Sequence, residues 1–192
     1  MKFIKADKIQ SFFAQSLATV ALFCELDRRN FLDSDYYKNI EFPDNDDQFK
    51  YILNESGIGN PGSLQMFLYV LLVVPKEMLE SKSPQYFQKV KSSFNILSQT
   101  IIERLYTKTT YKNENNYTDI DFYRHVRNAI SHARCYYITI DNVNYVKFCD
   151  VGRNQETCDI VIKTENIGIM VDFLFEQMLF YLKLRQNGEC MI

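Results

Sequence analysis

Along this chain the spacing of apolar residues changes period, and that change constrains the fold more than any other feature. Ile9, Phe12, Phe13, Leu17, Val20, Ala21 and Cys24 recur at helical spacing over residues 8–29, and Phe87, Val90, Phe94, Leu97, Ile101 and Leu105 do so over 84–106. Steps of three and four place such residues on one stripe of a helix. Beyond residue 135 the runs become β-branched or aromatic, with a period of two in places: Tyr136–Ile140, Asn144–Phe148 and Cys158–Ile162. Asp141-Asn142 and Gly152-Arg153-Asn154 separate them, so two or three short strands in a hairpin-based sheet are expected. Helical spacing returns over 165–185, where Met170, Phe173, Leu174, Gln177, Met178 and Tyr181 trace one side and Gly188 follows the end. The expected fold is mainly α: an up-and-down helical bundle with a small antiparallel β-hairpin or sheet inserted before the C-terminal helix, at about residues 135–163.

Breakers divide the helical part. Residues 30–48 are acidic and irregular, with Pro43 and Asp44-Asn45-Asp46-Asp47, and suit a surface loop with at most a short turn of helix. Gly57-Ile58-Gly59-Asn60-Pro61-Gly62 is the strongest interruption. Ser63 then suits the N-cap of a helix from Leu64 to about Leu79, kinked or restarted at Pro75. Pro84 suits the first position of the next helix. Residues 107–117 are polar and suit a linker, and Thr118-Asp119-Ile120-Asp121 resembles a capping box that opens a helix over about 119–134. No internal repeat and no second core are apparent, so residues 1–192 are expected to form one domain. A folded chain of 192 residues withdraws roughly 70% of its unfolded surface from water and needs no staple.

Composition narrows the function. Hydrophobic residues make up 46%, charged residues 24%, and there are only 6 Gly and 4 Pro, which excludes a disordered or low-complexity chain. The 15 Phe and 13 Tyr, with no Trp, imply an aromatic core. A net charge of -2 does not suit a protein that coats nucleic acid, so any such contact must be local. Cys24, Cys135, Cys149, Cys158 and Cys190 form no C-x-x-C pair and suit reduced core cysteines of a cytoplasmic protein. Met1 to Asp7 has no uninterrupted apolar segment of the signal-peptide kind. The longest apolar run, Met66 to Val74, is about half a membrane span and reads as a buried helix, so no membrane partner is expected.

Chemistry concentrates in one window. The protein has 2 histidines, and both fall within Arg124-His125-Val126-Arg127-Asn128-Ala129-Ile130-Ser131-His132-Ala133-Arg134. Three arginines share the window, and no Asp or Glu occurs from Phe122 to Ile140. Such a patch draws anions, and the guanidinium fork grips phosphate. At about 100° per residue, Val126, Ile130 and Ala133 form an apolar stripe. His125, Asn128 and His132 flank it on one side, and Arg124, Arg127, Ser131 and Arg134 on the other. A solvated face with clustering by chance accounts for the same composition.

Arg127-Asn128-Ala129-Ile130-Ser131-His132 resembles the R-polar-x-x-x-H signature of the HEPN superfamily, small helical and mostly metal-independent ribonucleases of toxin-antitoxin, abortive-infection and CRISPR systems. The likeness is closest over about residues 118–180. It implies His132 as acid/base, Arg127 as phosphate ligand and Asn128 as an orienting group, with RNA as substrate, a homodimer as the active unit, and neither metal nor other cofactor. The residues agree with it. RNA cleavage by its own 2′-hydroxyl needs a proton acceptor, a donor and fixed positive charge, and imidazole and guanidinium supply these.

A toxin or phage-defence role would add an antitoxin protein as partner. Some HEPN toxins carry, two residues after the motif histidine, a tyrosine that a nucleotidyl-transferring antitoxin modifies. Arg134 stands at that place here, and Tyr136 and Tyr137 do not inherit the role. Arg124, His125, Ser131 and Arg134 are candidate supporting residues; His125 equally suits a structural or interface histidine. Two other functions remain open: a HEPN-type module that binds nucleotide or RNA without cutting it, and a helical protein-protein interaction domain.

Overall fold

The computed structural model describes residues 8–42, 46–108, 119–153 and 156–186. The linker expected at 107–117 falls mostly outside these residues, as do Met1 to Asp7, Thr118, Gly188 and Cys190. The chain is mainly helical, with a four-stranded antiparallel sheet.

Helix α1 covers Lys8–Arg28 and buries Phe13, Leu17 and Val20. Phe12, assigned to the same apolar set by its spacing, is 60% exposed, and Cys24 is exposed as well. The acidic stretch carries more helix than expected: a 3-10 turn at Phe31–Asp33, α2 at Asp35–Lys38 and α3 at Asp46–Ser56. Gly57 then adopts φ 75°, a left-handed conformation that glycine enters without steric cost.

Next come α4 (Pro61–Leu68), a π-helical turn (Tyr69–Val73) and α5 (Val74–Lys82). The N-cap of α4 is Asn60, not Ser63. Asn60 Oδ1 accepts from the Ser63 amide at 3.0 Å, and Pro61 takes the position where a missing N–H costs nothing. At Pro75 the helix restarts as expected: a π turn precedes it, and Pro75 lies in the first turn of α5, where a missing N–H is tolerated. Among the described residues, Pro61–Lys82 is long and apolar enough to cross a membrane by length and composition alone. Its Phe67, Leu68, Leu71, Leu72, Met78 and Leu79 are core residues here.

Helix α6 covers Pro84–Ile101 and ends earlier than its spacing suggested. Residues Ile102–Lys108 form strand β1, paired antiparallel with β4 (Thr157–Lys163). The apolar positions 97, 101 and 105 fit a helix as well as anything local does; the partner strand at Thr157–Lys163, far along the chain, decides otherwise. Strands β2 (Cys135–Ile140) and β3 (Val143–Val151) follow α7 (Phe122–Ser131). They join through Asp141 and Asn142, both at positive φ, as a two-residue hairpin favours. The sheet order is β1-β4-β3-β2, so the sheet is not only an insertion at 135–163: it recruits a strand from before α7. Helix α8 (Thr164–Gln186) closes the described chain.

The core gathers residues of α1, α4, the π turn, α5, α6, α7 and α8 with the inner face of the sheet, and it is rich in aromatic rings as composition implied. Phe94 packs on Phe122 with ring centroids 4.9 Å apart, Phe87 meets Tyr123 edge-on at 5.4 Å, and the Tyr86 hydroxyl donates to the Gln177 carbonyl at 2.6 Å. Among the described cysteines, Cys158 is fully in this core, Cys135 and Cys149 are half-buried and Cys24 is exposed.

Candidate functional site

Helix α7 carries the basic window, and it is fastened at both ends. At its start, Asp121 Oδ1 accepts from the Arg124 amide at 3.2 Å, while Oδ2 meets Lys91 of α6 at 2.6 Å. The Tyr123 amide donates to Asn95 Oδ1 at 2.9 Å, and the Tyr123 hydroxyl donates to the Leu72 carbonyl in the π turn at 2.7 Å. The helix begins at Phe122, three residues later than the sequence suggested.

It also ends earlier, at Ser131, with His132 as C-cap. The Arg134 amide donates to the Ala129 carbonyl (2.8 Å) and the Ala133 amide to Ile130 (3.2 Å), the two bonds of a Schellman motif. Gln65 Nε2 of α4 adds a third donor there, to Ile130 at 3.1 Å. Ala133 occupies the left-handed position, φ 51°, and is exposed, so it does not belong to the apolar stripe. The buried stripe is Phe122, Val126, Ala129 and Ile130. A side chain at a left-handed C′ position costs about 1 kcal/mol relative to glycine. Ala133→Gly should therefore raise stability by about 0.5–1 kcal/mol in a denaturant melt, after allowing for the freer unfolded chain; unchanged or lower stability would count against this cap.

Two groups of side chains emerge on α7. The first is mutually bonded around a buried pair, with Arg124 and Asn128 half-buried beside it. His125 is 1% exposed, and its Nδ1 lies 2.7 Å from Oδ2 of Asp150, which is 3% exposed on β3. Asn128 Nδ2 donates to the same oxygen at 3.0 Å. Arg124 Nη2 lies 3.2 Å from His125 Nε2. Guanidinium nitrogens only donate, so Nε2 accepts, the ring proton sits on Nδ1, and Nδ1 donates to Asp150. Asp150 is the member that sequence reasoning missed. It is twenty-two residues beyond Asn128, on a strand, and only the β-period marked it as inward-facing beside Val146 and Phe148.

The second group is uncommitted. His132 is exposed, and its ring makes no hydrogen bond among the described residues. Arg127 is half-buried with no carboxylate partner among the described residues; its Nε has no accessible surface and no acceptor. It lies close enough to Tyr123 to act on that phenol. Burial pushes the Tyr123 hydroxyl far above its usual range, and the Arg127 charge pulls it the other way. Ser131 Oγ donates back to the Arg127 carbonyl at 2.8 Å, and Arg134 reaches the Val151 carbonyl only at 3.4 Å. The structure thus brings Arg124, His125 and Asn128 together, and leaves Arg127 and His132 outside that network.

Beyond the helix, Tyr136 is exposed and Tyr137 donates to the Pro61 carbonyl at 3.1 Å. Among the described residues no three His, Cys, Asp or Glu side chains converge as a metal-holding group. A half-buried guanidinium without a carboxylate partner among the described residues favours an anion, and an exposed imidazole is a group that can exchange protons with one.

A family model described as HEPN pEK499 p136 matches residues 4–184. No curated protein and no solved structure matches the chain.

Proposed function

Because the chain belongs to the HEPN pEK499 p136 family, we propose that it is an endoribonuclease working without metal at Arg127-Asn128-x-x-x-His132. The observation that carries this reading is that, among the described residues, the Arg127 guanidinium and the His132 ring make no hydrogen bond or ion pair, whereas Arg124, His125 and Asn128 are held in a bonded network. Arg127 would hold the scissile phosphate and stabilise the charge that grows on it. One imidazole would take the proton of the 2′-hydroxyl as that oxygen attacks phosphorus, and another would protonate the departing 5′-oxygen. The products are a 2′,3′-cyclic phosphate and a 5′-hydroxyl, and no water or cofactor is consumed.

The active unit in this reading is a homodimer. Arg127 and His132 are five positions apart, about 140° round a helix. The early end of α7 does not close that gap. The His132 amide still donates to the Asn128 carbonyl at 3.1 Å, so its Cα stays on the helical path, and its φ of -107° turns the side chain only by about 40° from helical values. A two-fold partner would bring a second Arg127 and a second His132 to the same phosphate. A toxin or phage-defence role in the cytoplasm, with an antitoxin partner, fits the family reading.

The test is incubation of purified protein with single-stranded RNA, and with the matching DNA, in excess EDTA. Cleavage of RNA alone, with cyclic-phosphate ends, is expected. Loss of all cleavage in EDTA, or equal cleavage of DNA, would overturn the mechanism. Nucleotide or RNA binding without turnover would identify the non-cleaving alternative.

A further inference from the structure

We infer that Asp150 is a positioning residue of this site: through one carboxylate oxygen it fixes Asn128 and His125, and through His125 the Arg124 guanidinium, so that β3 sets the rotation of α7 about its own axis. The inference rests on the ribonuclease reading above.

The argument starts from β3. Its inward positions are Val146, Phe148 and Asp150, all buried. Two are apolar. The third is a carboxylate, the costliest group to bury unless charge-assisted hydrogen bonds meet it. Those bonds come from α7, at 2.7 Å from His125 and 3.0 Å from Asn128. His125 and Asn128 stand one turn apart on one flank of the helix, so a single oxygen grips two successive turns. Carboxylate oxygen only accepts, so the Asn128 amide must turn its nitrogen toward Asp150. The imidazole, with its proton drawn to Nδ1, presents Nε2 as the acceptor for Arg124, one turn before Arg127. A helix could pack on this sheet through Val126, Ala129 and Ile130 alone. Apolar contacts tolerate small rotations; hydrogen bonds to a fixed oxygen do not. A rotation of α7 would carry Arg127 and His132 off their target, and misplacement by about 1 Å costs roughly 100-fold in rate.

The test is Asp150→Asn, which keeps the shape and one acceptor oxygen but removes the charge. Steady-state cleavage should show kcat lowered about 10- to 100-fold with KM changed less than about threefold. Val146→Ala, buried on the same strand outside the network, should lose stability yet keep kcat within about threefold. In an Asn128→Ala background the Asp150→Asn loss should shrink by at least about threefold, because part of it runs through Asn128 and the rest through His125. If Asp150→Asn does not fold, His125→Asn replaces it: the amide can still donate to Asp150 but offers Arg124 no ring acceptor, and kcat should again fall about tenfold. A parent protein that cleaves RNA while Asp150→Asn, or its substitute, cleaves equally well overturns this inference alone. Full additivity with Asn128→Ala, or an equal kcat loss in Val146→Ala, does the same. A parent that does not cleave RNA overturns the ribonuclease reading and this inference together.

Discussion

Arg127→Ala and His132→Ala should each lower RNA cleavage by at least about 100-fold while shifting folding stability by no more than about 1 kcal/mol. The two effects must appear together, because either alone has another explanation. For His132 the stability half is simple: the ring is exposed and unbonded, so truncation removes nothing from the fold. Arg127 needs more care, since it is half-buried and truncation removes the apolar stem of the side chain as well as its charge. Against that loss stands relief: its Nε is buried with no acceptor, an unmet cost in the free protein that the substitution removes. A denaturant melt of each variant beside its cleavage rate decides the matter. Losses of several kcal/mol would reassign these side chains to structure, and cleavage at the parental rate would end the proposed role. Mixing the two inactive proteins extends the test. Random reassortment makes about half the dimers mixed, each holding one intact Arg127 and one intact His132 on different chains, so cleavage above that of either variant alone would show a site shared across the interface. Activity that sediments entirely with monomer would exclude shared sites.

Much of this was legible in residue order, because the signals were local. The helical spacing in α1, α6, α7 and α8, the two-residue turn at Asp141-Asn142 and the concentration of Arg and His on one helix all act within a few residues. What was not legible depended on distant partners. Residues 102–108 continue a helical pattern, yet a register with residues 157–162 makes them a strand. The end of α7 was overestimated because Ala133 gave no glycine signal at a position where glycine is usual. Asp150 had no mark of function at all: one carboxylate among 24 acidic residues, given meaning only when β3 folds against α7. The same contact divides the basic window, which sequence treats as a single cluster, into a bonded group and a free one.

Removing the bonded group should damage the fold as severely as removing the free group damages chemistry. His125→Leu should lower stability by about 3 kcal/mol or more. Leucine fills much of the volume of imidazole, so the loss is not a cavity effect. It follows from charge. Both side chains of the pair are essentially inaccessible, and the substitution strips a charge-assisted donor from a buried carboxylate while placing hydrocarbon against it. Arg124 also loses the Nε2 acceptor it meets at 3.2 Å. Replacing both ends of the pair is a different matter: with Asp150→Leu added, the buried carboxylate is gone, and the double variant should recover at least about half of the lost stability. The measurement is a pair of urea or guanidinium melts at one pH. A cost below about 1 kcal/mol for His125→Leu would mean that water reaches Asp150 and that the pair holds nothing together. Recovery in the double variant without return of cleavage would separate the two demands placed on α7: apolar packing suffices to keep the helix on the sheet, and the hydrogen bonds to Asp150 are what orient it.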